Sequence, residues 1–90
     1  MLYNSQNILN IVTLFSIEKY HILYRFSNGY GASVIQKINS NDVEVSVLTF
    51  TSDDILDYVV TTDTSISTEA LANLKADDFI NTMNQIENLI

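Results

Sequence analysis

The sequence has no cysteine, no proline, two glycines and a single histidine, and it sets 4 Lys and Arg against 11 Asp and Glu. Without cysteine, neither a disulfide nor a thiolate metal site can reinforce the fold. One histidine leaves zinc with carboxylates alone to complete a ligand set, so no metal or other cofactor is expected. The absence of proline and the shortage of glycine leave no stretch of linker composition. Residues 1–90 are therefore read as one domain. The scarcity of basic side chains argues against direct nucleic-acid binding, which needs clustered Lys and Arg to neutralise phosphates. A net charge of −7 and a pI near 4.1 make a protein with a basic surface the natural complement.

Hydrophobic residues make up 47% of the chain, too many for a disordered tail. At this length a single core is only just sufficient, so stability must come from packing, with oligomerisation as a further source. The apolar run Ile8–Ile17 (ILNIVTLFSI) has no positive segment before it and no small-residue cleavage site after it. It is also far shorter than the roughly 20 residues that span a bilayer. A cytoplasmic protein with no membrane partner is the expectation.

The best-defined local feature is a β-hairpin. Tyr20–Ser27 and Gly31–Ile38 are rich in aromatic and β-branched residues, and Asn28-Gly29 stands between them. A two-residue type I′ turn there pairs Phe26 with Gly31, Tyr24 with Ser33, Leu23 with Val34 and Ile22 with Ile35. Ile22, Tyr24, Phe26, Gly31, Ser33 and Ile35 then share a face, with the Phe26 ring across the bare backbone of Gly31. Gly31 can instead mark a bulge, giving a loop of three or four residues and turning one strand over. A phosphate loop at Gly29-Tyr30-Gly31 is a poor fit beside the turn, because the ASVIQKI that follows is strand-like where a phosphate loop leads into a helix.

Before the hairpin, Ile8, Ile11/Val12 and Phe15 recur at helical spacing, with Asn4 or Ser5 as caps, and a helix is favoured over residues 1–17. Leu9, Ile11, Thr13, Phe15 and Ile17 also alternate as a strand would. Left unpacked, this segment is an apolar patch available for self-association. After the hairpin, Asn39–Asp42 reads as a turn and Val43–Thr51 as a strand with Val43, Val45, Val47 and Thr49 on one face. Asp57–Val60 suits a short further strand, and Thr61–Ser67 a loop. Ser67 or Thr68 can cap a short helix through Leu74. Asp77 and Asp78 open a last helix with Phe79, Met83, Ile86 and Ile90 in one stripe, widened by Ile80 and Leu89. The expected fold is α+β: an antiparallel meander of three to four strands over residues 19–60, covered by a helical part over 67–90.

Little in the residues points to chemistry. His21 is the sole imidazole and is expected to be exposed or paired across strands, not catalytic. Asp53, Asp54, Asp57 and Asp63 form the densest acidic region, but they lack the glycine and spacing of a calcium loop. Five tyrosines offer rigid interface area, and Tyr30 beside the turn is the one expected to be exposed. Partner binding is accordingly assigned to Asp53, Asp54, Asp57, Asp63 and Tyr30, and no enzyme activity is expected.

Tyr24–Ile35 (YRFSNGYGASVI), followed by Leu56-Asp57-Tyr58, Thr61-Thr62-Asp63 and a closing helix over Leu74–Leu89, resembles a group of short uncharacterised tailed-bacteriophage proteins. The resemblance covers about half of the chain; residues 1 to 18 have no counterpart in it, and Lys75 stands where such proteins often place a capping Ser or Thr. Richness in Asn and Ile with little Arg also fits an AT-rich genome. The resemblance implies an accessory protein in the host-cell cytoplasm and no chemistry. The function expected is an acidic protein-interaction module that inhibits a host protein, for example a nuclease of a defence system. The alternative is an assembly protein that forms homo-oligomers through its N-terminal hydrophobic segment.

Overall fold

The computed structural model describes residues 2–66 and 71–90. Six antiparallel strands form one sheet: β1 (Ile8–Phe15), β2 (Lys19–Phe26), β3 (Tyr30–Lys37), β4 (Val43–Phe50), β5 (Tyr58–Val60) and β6 (Leu71–Leu74). The order is β1-β2-β3-β4-β5, and β6 pairs with the other half of β4's outer edge. The one helix among the described residues, α1 (Ala76–Glu87), packs over β3, β4 and β6. The α+β meander with a C-terminal helix is thus as expected from the sequence, with two strands more.

The first extra strand corrects the helix expected over residues 1–17. Ile8–Phe15 is a strand because it can pair along its length with β2 through a tight turn. The Ser16 hydroxyl makes that turn, accepting hydrogen bonds from the amides of Glu18 and Lys19, while Ser16 N donates to Lys19 O at 3.2 Å. The strand's pairing partners, and β-branched Ile8, Ile11, Val12 and Thr13, outweigh the helical spacing. The second extra strand, β6, corrects the short helix expected through Leu74. Its positive φ at Asn73 marks a bulge against Val43–Val45. The Ser67 or Thr68 cap expected for that helix lies outside the described residues.

In the central hairpin the strands pair one residue out from the two-residue turn: Arg25 faces Gly31, Tyr24 faces Ala32, Leu23 faces Ser33 and Ile22 faces Val34. The loop has three residues, Ser27-Asn28-Gly29, and only Gly29 adopts a positive φ, +92°. This is a type I turn closed by a glycine bulge. The shift gives the helix-facing side Ile22, Tyr24, Phe26, Ala32 and Val34. Phe26 therefore does not lie on Gly31. Phe50 does, its ring seated where a Cβ at Gly31 would fall.

Two cores follow. Under α1, Phe79, Met83 and Ile86 close on Tyr24, Phe26, Val34, Val43, Val45 and Val47, as the apolar stripe requires. Ile90, expected in that stripe, lies beyond the helix and is exposed, as is Ile80. On the opposite face Ile55, from the turn between β4 and β5, covers Leu23 and Leu48.

Candidate functional site

The acidic residues singled out in the sequence separate into two places. Asp53, Asp54 and Asp57 share the turn that carries Ile55 across the sheet, and Asp54 and Asp57 largely build it. Asp54 Oδ1 accepts from Leu56 N, Asp57 Oδ2 accepts from Ser52 Oγ at 2.7 Å, and Thr51 N donates to Asp57 O. A cation sits beside them: Arg25 donates to Ser52 O at 2.8 Å and lies 4.6 Å above the Phe50 ring. Asp63 follows β5 and, with half-buried Tyr30, lines a separate hollow of about 580 Å³ between the 63–66 segment and the end of α1. The five residues do not converge on one surface.

His21 lies across the strands from Ser33, its Nε2 2.7 Å from Ser33 Oγ. Burial and the nearby Lys19 charge hold its pKa below the ordinary imidazole value. Ser33 is itself buried in mid-strand, and among the described residues neither group bonds a carboxylate. No group of three His, Asp or Glu able to hold a metal occurs among the described residues.

A third polar cluster, unforeseen in the sequence, ties the N-terminal segment to α1. Tyr3 lies buried between sheet and helix, edge-on to Tyr24, Phe26 and Phe79. Its amide donates to Tyr24 Oη at 3.0 Å, and its hydroxyl donates to Asn84 Oδ1 and Glu87. Ser5 Oγ and Asn7 Nδ2 also donate to Glu87. Burial works to raise the Glu87 pKa, but the three donors prevail and hold it below the usual carboxylate range. Burial first, then Glu87, pushes the Tyr3 hydroxyl well above its ordinary value.

An edge left open is that of β1. Among the described residues the strand pairs with β2 alone, and its outer edge is open. The bond from Ser16 N to Lys19 O sets the alternation: Asn10, Val12 and Leu14 face β2, and the backbone groups of Ile11, Thr13 and Phe15 point outward. Leu9, Ile11, Phe15 and Ile17 are 66%, 43%, 74% and 94% exposed. Beside this edge, on the same face of the sheet as α1 but with no α1 residue in its lining, runs a groove of about 350 Å³ lined by Leu2, Thr13, Phe15, Tyr20, Ile22, Val34 and Gln36. The sequence held the signal in the alternation from Leu9 to Ile17, which marks the exposed face of an edge strand. Among the described residues no helix is long and apolar enough to cross a membrane. Protein-family models, curated proteins and solved structures yield no match to this chain.

Proposed function

We propose that this chain is a non-catalytic interaction protein that binds by strand addition along the outer edge of β1. One observation carries the reading: an eight-residue edge strand with no charged side chain and no proline, flanked by exposed apolar residues. Edge strands in isolated proteins are ordinarily blunted by charge, proline or shortness, because open backbone groups recruit other strands. The opposite edge follows that rule, since it is divided between β5 of three residues and β6 of four. This favours the assembly role over the acidic one.

A second reading rests on Asp53 and Asp54, both exposed on one turn. In it the chain is a bacteriophage accessory protein that inhibits a basic host protein in the host cytoplasm, its carboxylates presenting charge as phosphates do.

A tagged capture at low and high salt, from lysate of host cells that also produce the untagged chain, separates the two, with the untagged copy counting as a captured partner. Three baits are compared: the natural chain, Thr13→Pro, and the triple variant Asp53→Asn, Asp54→Asn, Asp57→Asn. Thr13 N–H points outward, so proline there removes an edge donor without breaking the β2 ladder. Strand addition expects capture that survives salt and the Asn variant and is lost with Thr13→Pro. Capture lost with salt and the Asn variant, but kept by Thr13→Pro, would instead assign binding to the acidic turn.

A further inference from the structure

We infer that the strand received by β1 is β1 of a second copy, paired antiparallel about a two-fold axis through Thr13, giving one continuous sheet of twelve strands from two sheets of six. The inference rests on the reading of β1 as the binding edge.

Charge selects the occupant. From residue 2 to residue 17 no side chain is charged; every Asp, Glu, Lys, Arg and His lies at Glu18 or beyond. Two bodies of charge −7 repel over most of their surfaces, and this strand is the stretch where they meet without opposing carboxylates. A basic partner would gain nothing there.

Register selects the symmetry. The outward-facing residues are Ile11, Thr13 and Phe15, so only pairings among them close hydrogen bonds. Centring on Thr13 sets Thr13 against its own copy and Ile11 against Phe15 twice. Threonine pairs and aromatic–β-branched pairs are both favourable cross-strand combinations. Centring on Ile11 would push the pairing into the bulge between Ile8 and Asn10, where the ladder is irregular. At its regular end β1 therefore offers a self-complementary segment. The same arrangement lays the Ile11 and Phe15 side chains of both copies along the face holding the groove. Among the described residues the Asn10 side chain alone bonds an outward amide of this edge: its Oδ1 accepts from the Ile11 amide at 2.8 Å and must yield to the incoming strand.

The absence of native cysteine permits a direct test. Single cysteines at positions 11, 13 and 15 are introduced into the full chain, mildly oxidised, and analysed beside equilibrium sedimentation of the natural protein. Directly opposed residues in a hydrogen-bonded antiparallel pair lie about 5.5 Å apart at Cα, within bridging range. The expected result is a concentration-dependent dimer and a disulfide-linked homodimer from Thr13→Cys. Ile11→Cys and Phe15→Cys should each stay unlinked alone and cross-link when mixed. Phe15→Lys should weaken the dimer at least about tenfold, the equivalent of about 1.4 kcal/mol. A folded monomer at every concentration overturns self-pairing. If the β1-dependent capture above persists in that case, the edge binds a different chain. Efficient homodimers from Ile11→Cys or Phe15→Cys alone would overturn the two-fold at Thr13.

Discussion

Gly31 and Asn28 show how much of this fold is decided by single residues. A Cβ on Gly31 would stand 2.2 Å from the Tyr24 carbonyl oxygen and 2.6 Å from the Phe50 ring. The carbonyl belongs to the sheet and cannot retreat. Gly31→Ala should therefore destabilise by about 1–3 kcal/mol, the usual range for overpacking. Gly29 has a positive φ but open space around it, so Gly29→Ala should cost only the conformational penalty, about 1–2 kcal/mol. Denaturant midpoints of the two variants check the ranking. Asn28 looked like half of a tight turn, but it does more. Its Nδ2 donates to the carbonyls of Ile86 and Leu89, closing the C-terminus of α1, while its Oδ1 accepts from Tyr30 N. Asn28→Ala should cost about 1–3 kcal/mol by stranding part-buried backbone groups. Asn28→Asp keeps the acceptor but not the donor, and it sets a negative charge at the negative end of the helix. It should therefore be no better than alanine in the same assay.

At the scale of elements, α1 and the N-terminal segment hold each other through Glu87. A carboxylate in the last turn opposes the helix dipole, and no basic residue offsets it there. The donors Tyr3, Ser5 and Asn7 do so from outside the helix. Because the folded pKa lies below the ordinary value of 4.5, the unfolded state binds the proton more readily. The contribution of Glu87 is thus full above that value and is lost as pH falls through the depressed one. The protection of the Tyr3–Asn7 amides against exchange, relative to the intrinsic rate at each pH, should fall over that acid range, and Glu87→Gln should remove this pH dependence. None of this was legible in the sequence, since Tyr3 and Glu87 are joined only once the sheet has brought the two ends of the chain together. The strands β2, β3 and β4 and the stripe of α1 were legible, because period-two and period-3.6 patterns are local. Residues 8–17 satisfied both periods, and the arbiter was the Ser16 turn and the pairing it permits. The hairpin slipped by one residue because Asn28-Gly29 serves a three-residue loop as readily as a two-residue one. Which faces are buried depends on that choice alone.

For the whole molecule, charge and hydrophobicity occupy different parts of the chain, and their separation yields a test of opposite sign for the two functional readings. Asp53, Asp54, Asp57, Asp63 and Tyr30 were legible as acidic and aromatic residues, but the fold spends Asp54 and Asp57 on a turn and sets Asp63 with Tyr30 elsewhere. The apolar edge was legible only as an unplaced segment, because exposure is a property of the sheet order and not of the residues. Two copies meeting at β1 bring net charges of −7 together, whereas an acidic turn meeting a basic partner brings opposite charges together. Salt shortens the range of both interactions, to about 10 Å at 0.1 M. Repulsion between copies is therefore relieved, and self-association should strengthen or hold steady as salt rises. Capture of a basic partner should weaken over the same range. Sedimentation of the natural chain at two salt concentrations reads the first, and the Asp53→Asn, Asp54→Asn, Asp57→Asn variant supplies the control, since with charge −4 (−7 plus three neutralised carboxylates) it should dimerise at least as tightly at low salt. A dimer that dissociates on adding salt would place the contact on charged residues, and so away from residues 2–17.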